Sequence, residues 1–532
     1  MKNFGRTFGK FVFGFIVWLG ILFTGFLFIS SLLYDSYSTD METQIVLYRR
    51  DNPLWTVFVV AVVVILTVVC TVMSKKWGEK ALKWHLTLTV LWVFVLGCLG
   101  IFFFRTVPAA DAMSVYAMAE SLSQGDLSFI HPTQSYLAYY PHQIGLVVFF
   151  APFIYVFNLL KTGVPAYFFL ELINVFFACV TVVFQYETVE RLAPHKSTLF
   201  GHIYLILIGL FFPFIAYTSF VYGEIPSVMF MSMALYFSLR LKERLDKSEG
   251  KTVSTACLMT LCAVASVFVR KNSLIFIIAL SAVLFVDFIC RRKAVVLVSL
   301  VLAVLLSVFG QGLLLKVFEN AKGVKFPSGV TPLSYVAMSM KSDTRAKGWY
   351  DGYNFETYRL SGMDKNATDA ASKAVIKERL EFFKANKGEM YSFYKEKYLS
   401  QWADGTYASR QAILASLGRR EYVWPYFNGP EAFPYINFCN GFQSLFYAGL
   451  LLFCIFGVAE IKKESANIVR YIGIIALFGT FLFHILWEAN SRYSFPMVAI
   501  AITCAAAGWG MTVEAVLKRF RVKRSAEVTN EE

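Results

Sequence analysis

YYPHQIGLVVFFAPFIYVFNLL, residues 139–160, decides the fold. From residue 143 onward it stays apolar for about 18 residues, enough for a helix to cross a bilayer. Counting it as a crossing, however, breaks the charge pattern of everything that follows. Thirteen apolar runs lie at about 11–33, 54–73, 84–104, 143–160, 165–186, 198–217, 225–240, 252–269, 274–290, 294–316, 441–459, 468–487 and 493–513. Basic clusters sit at their ends: Lys75/Lys76/Lys80/Lys83, Arg191/Lys196, Arg240/Lys242/Arg244/Lys247, Arg291/Arg292/Lys293, Lys462/Lys463/Arg470 and the tail Lys518/Arg519/Arg521/Lys523/Arg524. Cytoplasmic connections carry an excess of Lys and Arg. With the N-terminus inside, a crossing at 143–160 puts every cluster from Arg191 onward outside; without it they all fall inside. The sequence therefore predicts a re-entrant or interfacial helix on the outer face, twelve spanning helices and two cytoplasmic termini. The alternative is an ordinary span for which the charge rule fails.

Composition supports lipid as the main solvent. Of 532 residues, 57% are apolar and 16% charged, too few charges to coat a soluble protein of this size. Within lipid each backbone polar group must be satisfied internally, which leaves helices or a closed barrel, and the run lengths exclude barrel strands of about ten residues. The net charge of +14 does not indicate nucleic acid, because the basic residues are bound up in membrane flanks. Eight of the nine cysteines lie in or at the ends of apolar runs, and none has metal-knuckle spacing. Lys2, Arg6 and Lys10 precede a first run too long for a secretory signal, so it reads as an uncleaved anchor. The chain divides into a two-helix extension (1–83), a core (84–316) with outer loop 105–164, a partly helical outer region (317–440), C-terminal spans (441–515) and a cytoplasmic tail (516–532). Segment 368–399 has apolar residues at helical spacing and many aromatics, which predicts an amphipathic helix on the outer leaflet.

Charges near a membrane face are costly unless paired or used. Asp111 follows the third span closely and either caps a helix over Ala112–Leu122 or serves a site. Gly125-Asp126 ends that helix, and Tyr136-Leu-Ala-Tyr139-Tyr140-Pro141-His142-Gln143 leads into the apolar run. Together these resemble the GT-C superfamily of membrane glycosyltransferases, which includes protein O-mannosyltransferases and lipid A aminoarabinose transferases. In that family an Asp after a span, a helix, a Gly-Asp turn and an aromatic-Pro segment open a juxtamembrane helix. Trp487-Glu488-Ala-Asn-Ser-Arg492-Tyr493-Ser-Phe-Pro496 is similar to the Glu-x-x-x-Arg-Tyr-x-x-Pro segment of bacterial members. Arg270-Lys271-Asn272-Ser273 resembles the family's basic turn near lipid phosphate, and Tyr222-Gly-Glu224 occupies another outer turn.

The resemblance implies an all-α polytopic GT-C-like protein with a large extracytoplasmic loop. Its expected activity is inverting transfer of a sugar from a polyprenyl-phosphate carrier to a surface glycan, lipid or wall polymer at the cell membrane, the site extracytoplasmic and the source bacterial. Asp111 is the expected general base, and Arg270, Lys271 and Arg492 the cations for the leaving phosphate. Each has a plainer reading: Arg270 and Lys271 as snorkelling side chains, Glu488 and Arg492 as an ion pair four residues apart, Glu224 as a turn or cap residue. Asp126, Tyr140, His142 and Tyr493 are further candidates. Trp349 and Tyr350 either line an acceptor pocket or anchor at the interface, and Gln401-Trp402-Ala-Asp404-Gly405-Thr406-Tyr407 shares that ambiguity. No soluble cofactor is implied and no obligatory metal predicted; membrane lipids, the lipid-linked sugar and its acceptor are the expected partners. Two rivals are a transporter or flippase, for which inverted repeats are lacking and the one candidate mid-membrane acid is Glu171, placed either in the bundle interior or near the interface, and a polysaccharide polymerase or ligase.

Overall fold

The computed structural model describes residues 2–38, 45–193, 197–341, 346–417, 426–428, 430–462 and 467–531. Lys196 and Lys463, counted above among the basic clusters, lie outside the described residues, as do the side chains of Lys2, Arg6, Arg521, Lys523 and Arg524. Among described residues the architecture is helical apart from one antiparallel hairpin, Tyr34–Ser38 with Val46–Arg50. Eleven helices are long and apolar enough to cross a membrane. A broken pair, Thr198–Leu210 and Phe212–Ser219, bent by 57°, makes a further candidate. Glu224–Lys247 is a thirteenth run, buried in its first half and charged from Arg240 onward.

Local chemistry sets the helix ends. Pro53 opens the second long helix, Pro53–Trp77, where its missing N–H is no loss, and Asn52 caps it by accepting from Leu54 N at 3.2 Å. Gly78, at φ 57°, stops that helix and turns directly into Glu79–Phe104. Lys75 and Lys76 sit in the last turn, favoured by the helix dipole.

The helix at 143–160 does not cross. Gln143 Nε2 donates to the Tyr222 hydroxyl at 2.6 Å, while beyond the helix the Tyr167 hydroxyl accepts from Val221 N at 3.4 Å. Adjacent residues of one turn thus hold the chain before and after Ile144–Leu159, so the segment leaves and returns to the same face. Phe157 stacks on Phe169, near the start of Ala166–Leu192, with ring centroids 4.9 Å apart. At the other end Gly145 lies against the Phe268 carbonyl, where a Cβ would come within 2.3 Å. Setting this helix aside and adding the broken pair and Glu224–Lys247 leaves twelve runs between the two faces, as charge parity requires.

The described basic clusters gather at the opposite face. There Ser74 meets His202 at 2.7 Å, and Arg470 donates to the Leu192 carbonyl, joining helix ends distant in sequence. The hairpin, residues 105–165 and the long connection after Lys322 lie at the other face. That connection runs from 323 to 432, shorter at both ends than the expected 317–440, because Ala294–Lys322 extends beyond its apolar part and Phe433–Val458 begins early. Its expected amphipathic helix is instead two, Lys365–Ala385 and Lys387–Trp402, broken at Asn386. The second ends inside the bundle, Trp402 edge-on to Phe23, so it is held by protein where a leaflet was expected. The N-terminal helices are also integral: Phe13 packs on Tyr471 at 5.3 Å, and Gly20 lies against Cys454.

This topology makes a labelling prediction. An impermeant maleimide should modify Thr162→Cys and Ser128→Cys from the same side of the membrane, and Ser248→Cys only from the other. Opposite labelling of positions 128 and 162 would refute the non-crossing helix.

Candidate functional site

Three helix ends meet around one carboxylate. Glu224 opens its helix behind Gly223 and is fully buried. Its Oε1 accepts from Arg270 Nη1 at 2.7 Å and from Arg492 Nε at 2.5 Å. Gly223 permits this approach: a Cβ there would lie 2.3 Å from the Val269 carbonyl and 3.1 Å from Arg270 Cβ. Both guanidiniums face the Tyr222 ring, Arg492 at 4.9 Å and Arg270 at 5.9 Å, and Arg492 also covers Phe220 at 4.9 Å. One carboxylate cannot neutralise two guanidiniums, so the cluster keeps a positive surplus. Glu224 Oε2 and Arg270 Nε are buried without a hydrogen-bond partner among the described residues. Lys271 follows in the next turn, close enough to His142 for its charge to be felt there.

Tyr222 links this cationic cluster to an acidic and phenolic one, for it feels both arginines and the Asp111 charge. The Asp111 charge acts on Tyr136, Tyr140, Tyr222, Tyr335, Tyr350 and Glu488, with the Tyr136 hydroxyl close to the Asp111 carboxylate. Burial first, and then neighbouring negative charge, holds the Tyr136 and Tyr140 phenols above their ordinary range. Burial pushes Glu488 up to about 7; the Tyr493 hydroxyl, donating to it at 2.8 Å, opposes the rise and the Asp111 charge adds to it. Lys397 reaches in from Lys387–Trp402, donating to the carbonyls of Ser339 at 3.0 Å and Ile485 at 3.1 Å; burial lowers it to about 7, against the attraction of Glu488. His484 stacks parallel to Tyr493 at 5.5 Å and bonds the Glu488 carbonyl.

Several expectations change. Asp111 does not cap its helix: the cap position is Ala109, with no side-chain bond, and Asp111 lies in the first turn of Ala110–Ser123. Ala110 before it is left-handed at φ 48°, a conformation costing a non-glycine residue roughly 1–2 kcal/mol and found where a side chain must be aimed. Arg492 does not pair with Glu488. The helix begins only at Ser491, so no helical turn joins positions 488 and 492, and Arg492 turns to Glu224 instead. Arg270 is buried against that carboxylate and does not snorkel. Of the two placements open to Glu171, the bundle interior or near the interface, it takes the second: it accepts from Thr106, which lies just past the end of Glu79–Phe104.

Asp126 stays apart, exposed, with its carboxylate taking Ser128 N at 2.8 Å and Oγ at 2.6 Å. Trp349 is buried with its indole N–H on Ser400 Oγ at 3.0 Å, a packing position and not an open stacking platform. Tyr350 sits beside Tyr140 in the phenolic cluster. Asp404 is structural, taking Thr406 N at 2.9 Å and Ser491 Oγ at 2.6 Å. Sequence reasoning missed Tyr335 and Lys397, which sit in the long connection without a motif; only their position after folding marks them.

No protein-family model matches the chain, and no curated protein matches it. It is similar to solved structures of the oligosaccharyltransferase of the archaeon Archaeoglobus fulgidus. In the apo form the identity is 12% and the TM-score 0.45, over 85% of this chain and 52% of that one. A form tethered with an acceptor peptide containing the NVT sequon gives 12% and 0.44, over 83% and 51%. The complex with an inhibitory peptide and a dolichol-phosphate gives 13% and 0.41, over 85% and 52%. The chain spans about half the length of these proteins, and likeness at this level assigns it no activity.

Two predictions follow from the charges. Glu224→Gln leaves two guanidiniums facing each other in a buried site, which should cost about 3–5 kcal/mol and show as a lowered unfolding temperature in detergent. Glu488 rises from 4.5 to about 7, so its contribution is full below pH 4.5 and is lost as pH rises through 7. Stability should fall by about 3 kcal/mol across that window, and Glu488→Gln should flatten the slope.

Proposed function

We propose that this chain is an inverting glycosyltransferase that takes a sugar from a polyprenyl-phosphate carrier at the extracytoplasmic face. The observation that carries the reading is that Tyr222 feels both an Asp111 free of capping duty and a buried, cation-rich cluster in which Glu224 accepts from Arg270 and Arg492. Sidedness rests on charge: the described basic clusters lie at the face opposite the site, and basic connections stay cytoplasmic.

In this reading the acceptor hydroxyl attacks the anomeric carbon while its proton passes to the Asp111 carboxylate. The bond from that carbon to the phosphate oxygen breaks, and its electron pair leaves on the phosphate. Arg492, Arg270 and Lys271 offset the charge that develops there, and fixed guanidiniums do so without reorganising. Tyr136, Tyr140 and Tyr350 offer hydroxyls and ring faces to the sugar. The carrier's apolar tail stays in lipid beside the non-crossing helix. The acceptor is a cell-surface glycan, lipid or wall polymer.

Purified protein given a labelled polyprenyl-phosphate sugar and a crude surface-glycan acceptor should release polyprenyl phosphate. Asp111→Asn should lower that release by about 10²–10⁴-fold with the unfolding temperature kept. Undiminished turnover in Asp111→Asn would remove it as the base. Solute uptake into proteoliposomes without phosphate release would place the protein among transporters.

A further inference from the structure

At the face opposite the site, three helices converge on a second cluster that the proposed transfer does not use. Cys70 comes from Pro53–Trp77, His85 from Glu79–Phe104 and His202 from Thr198–Leu210. Cys70 Sγ lies 3.7 Å from His85 Nδ1, and His85 Nδ1 lies 2.8 Å from His202 Nδ1. All three potential ligand atoms fall within 4.8 Å of one another. From these distances we propose that Cys70, His85 and His202 form a binding site for a thiophilic, tetrahedrally coordinated cation of the zinc(II) class.

The geometry is close to what such an ion needs. Metal–sulfur and metal–nitrogen bonds of about 2.3 and 2.05 Å place tetrahedral ligands about 3.6 Å apart for S and N and about 3.4 Å for two N atoms. The Cys70–His85 distance already fits, the Cys70–His202 separation lies within 4.8 Å, and the two imidazoles must part by about half an ångström. The outer shell is also in place. Ser74 Oγ lies 2.7 Å from His202 Nε2 and can accept an N–H there, the tautomer that would leave the His202 Nδ1 lone pair for the ion. One thiolate and two imidazoles suit a borderline-soft cation better than magnesium or calcium, and three protein ligands leave the fourth position to water. Binding converts the Cys70 thiol to thiolate and releases one proton to solvent.

The role is a brace. The ion would fasten the Pro53–Trp77 helix, part of the N-terminal extension, to two core helices whose ligands, His85 and His202, lie 15 residues beyond Cys70 and a further 117 beyond His85 in the chain. No sequence motif announces it, because each ligand comes from a different helix. The plain alternative is a hydrogen-bonded polar cluster in which His85 Nδ1–H donates to His202 Nδ1.

The test uses full-length, tag-free protein in detergent, stripped with chelator and titrated with cobalt(II) and zinc(II). The proposal expects one equivalent bound per chain and a thiolate-to-cobalt charge-transfer band in the near ultraviolet. It also expects an unfolding temperature that rises with zinc. Cys70→Ser should remove the charge-transfer band and His202→Gln should abolish stoichiometric binding, while Cys98→Ser, farther along the helix that carries His85, should leave both unchanged. Wild-type protein that takes up no stoichiometric metal overturns the proposal without any variant. A charge-transfer band that survives in Cys70→Ser overturns the assignment of ligands.

Discussion

A carboxylate with no exposed surface, held between two arginines at the edge of a membrane, governs this architecture. Stripping water from Glu224 and Arg270 is expensive, and the expense is met only where the partners stay in contact. Each partner belongs to a different helix end. Glu224 begins one helix, Arg270 follows the end of the next, and Arg492 sits in the first turn of the long C-terminal one. Moving any of the three ends by a few ångströms would leave a buried charge unpaired. The glycine at 223 is what lets the backbone come close enough, and the Tyr222 ring fills the space both guanidiniums face.

That same turn fixes the helix that looks like a span and is not. Gln143 and Tyr167 reach it from either end of the segment, so its apolar length is spent along the face and not through it. Its sequence is apolar on every side because each side meets apolar material: the helix after Ala110 above, the helix from Ala166 beside, and lipid elsewhere. The long connection then locks over it, Val330 N donating to the Tyr139 carbonyl at 2.9 Å and Gly329 lying against Pro141. The aromatic-Pro segment is therefore a clamp point between two loops as well as a wall of the site.

How much of this the sequence reveals depends on the range of each interaction. The twelve crossings were readable because hydrophobic runs and basic flanks are local in sequence and the parity test sums them over the whole chain. Arg270, Arg492, Glu224 and Asp111 were readable as candidates because a charge beside an apolar run is conspicuous anywhere. Their pairing was not. Positions 488 and 492 have helical spacing on paper, but the helix starts too late to use it, and the real partner is 268 residues away. The capping role given to Asp111 failed for a related reason: the cap falls two residues earlier, behind a left-handed alanine that no propensity scale favours. Tyr335, Lys397 and the hairpin at 34–50 lie in stretches where composition is ordinary and only tertiary contact confers a role.

The two carboxylates in the acidic cluster differ in surroundings, and that difference bears on which could serve a proton-transfer step. Glu488 is buried beneath Tyr493, and its rise to about 7 comes chiefly from that burial. Lys397 is brought down to about 7, chiefly by burial, and the Glu488 carboxylate acts against that fall. Asp111 is on the exposed side of its helix, with one phenol close to it and several more in reach. Asp111 is exposed, whereas Glu488 is buried and bonded to the Tyr493 hydroxyl. Under the transfer we propose, that exposure suits Asp111 to the part of base. The enclosed Glu488 and Lys397 suit a different task, holding Tyr493 and the Ser339 and Ile485 carbonyls in register with the turn that carries Arg492.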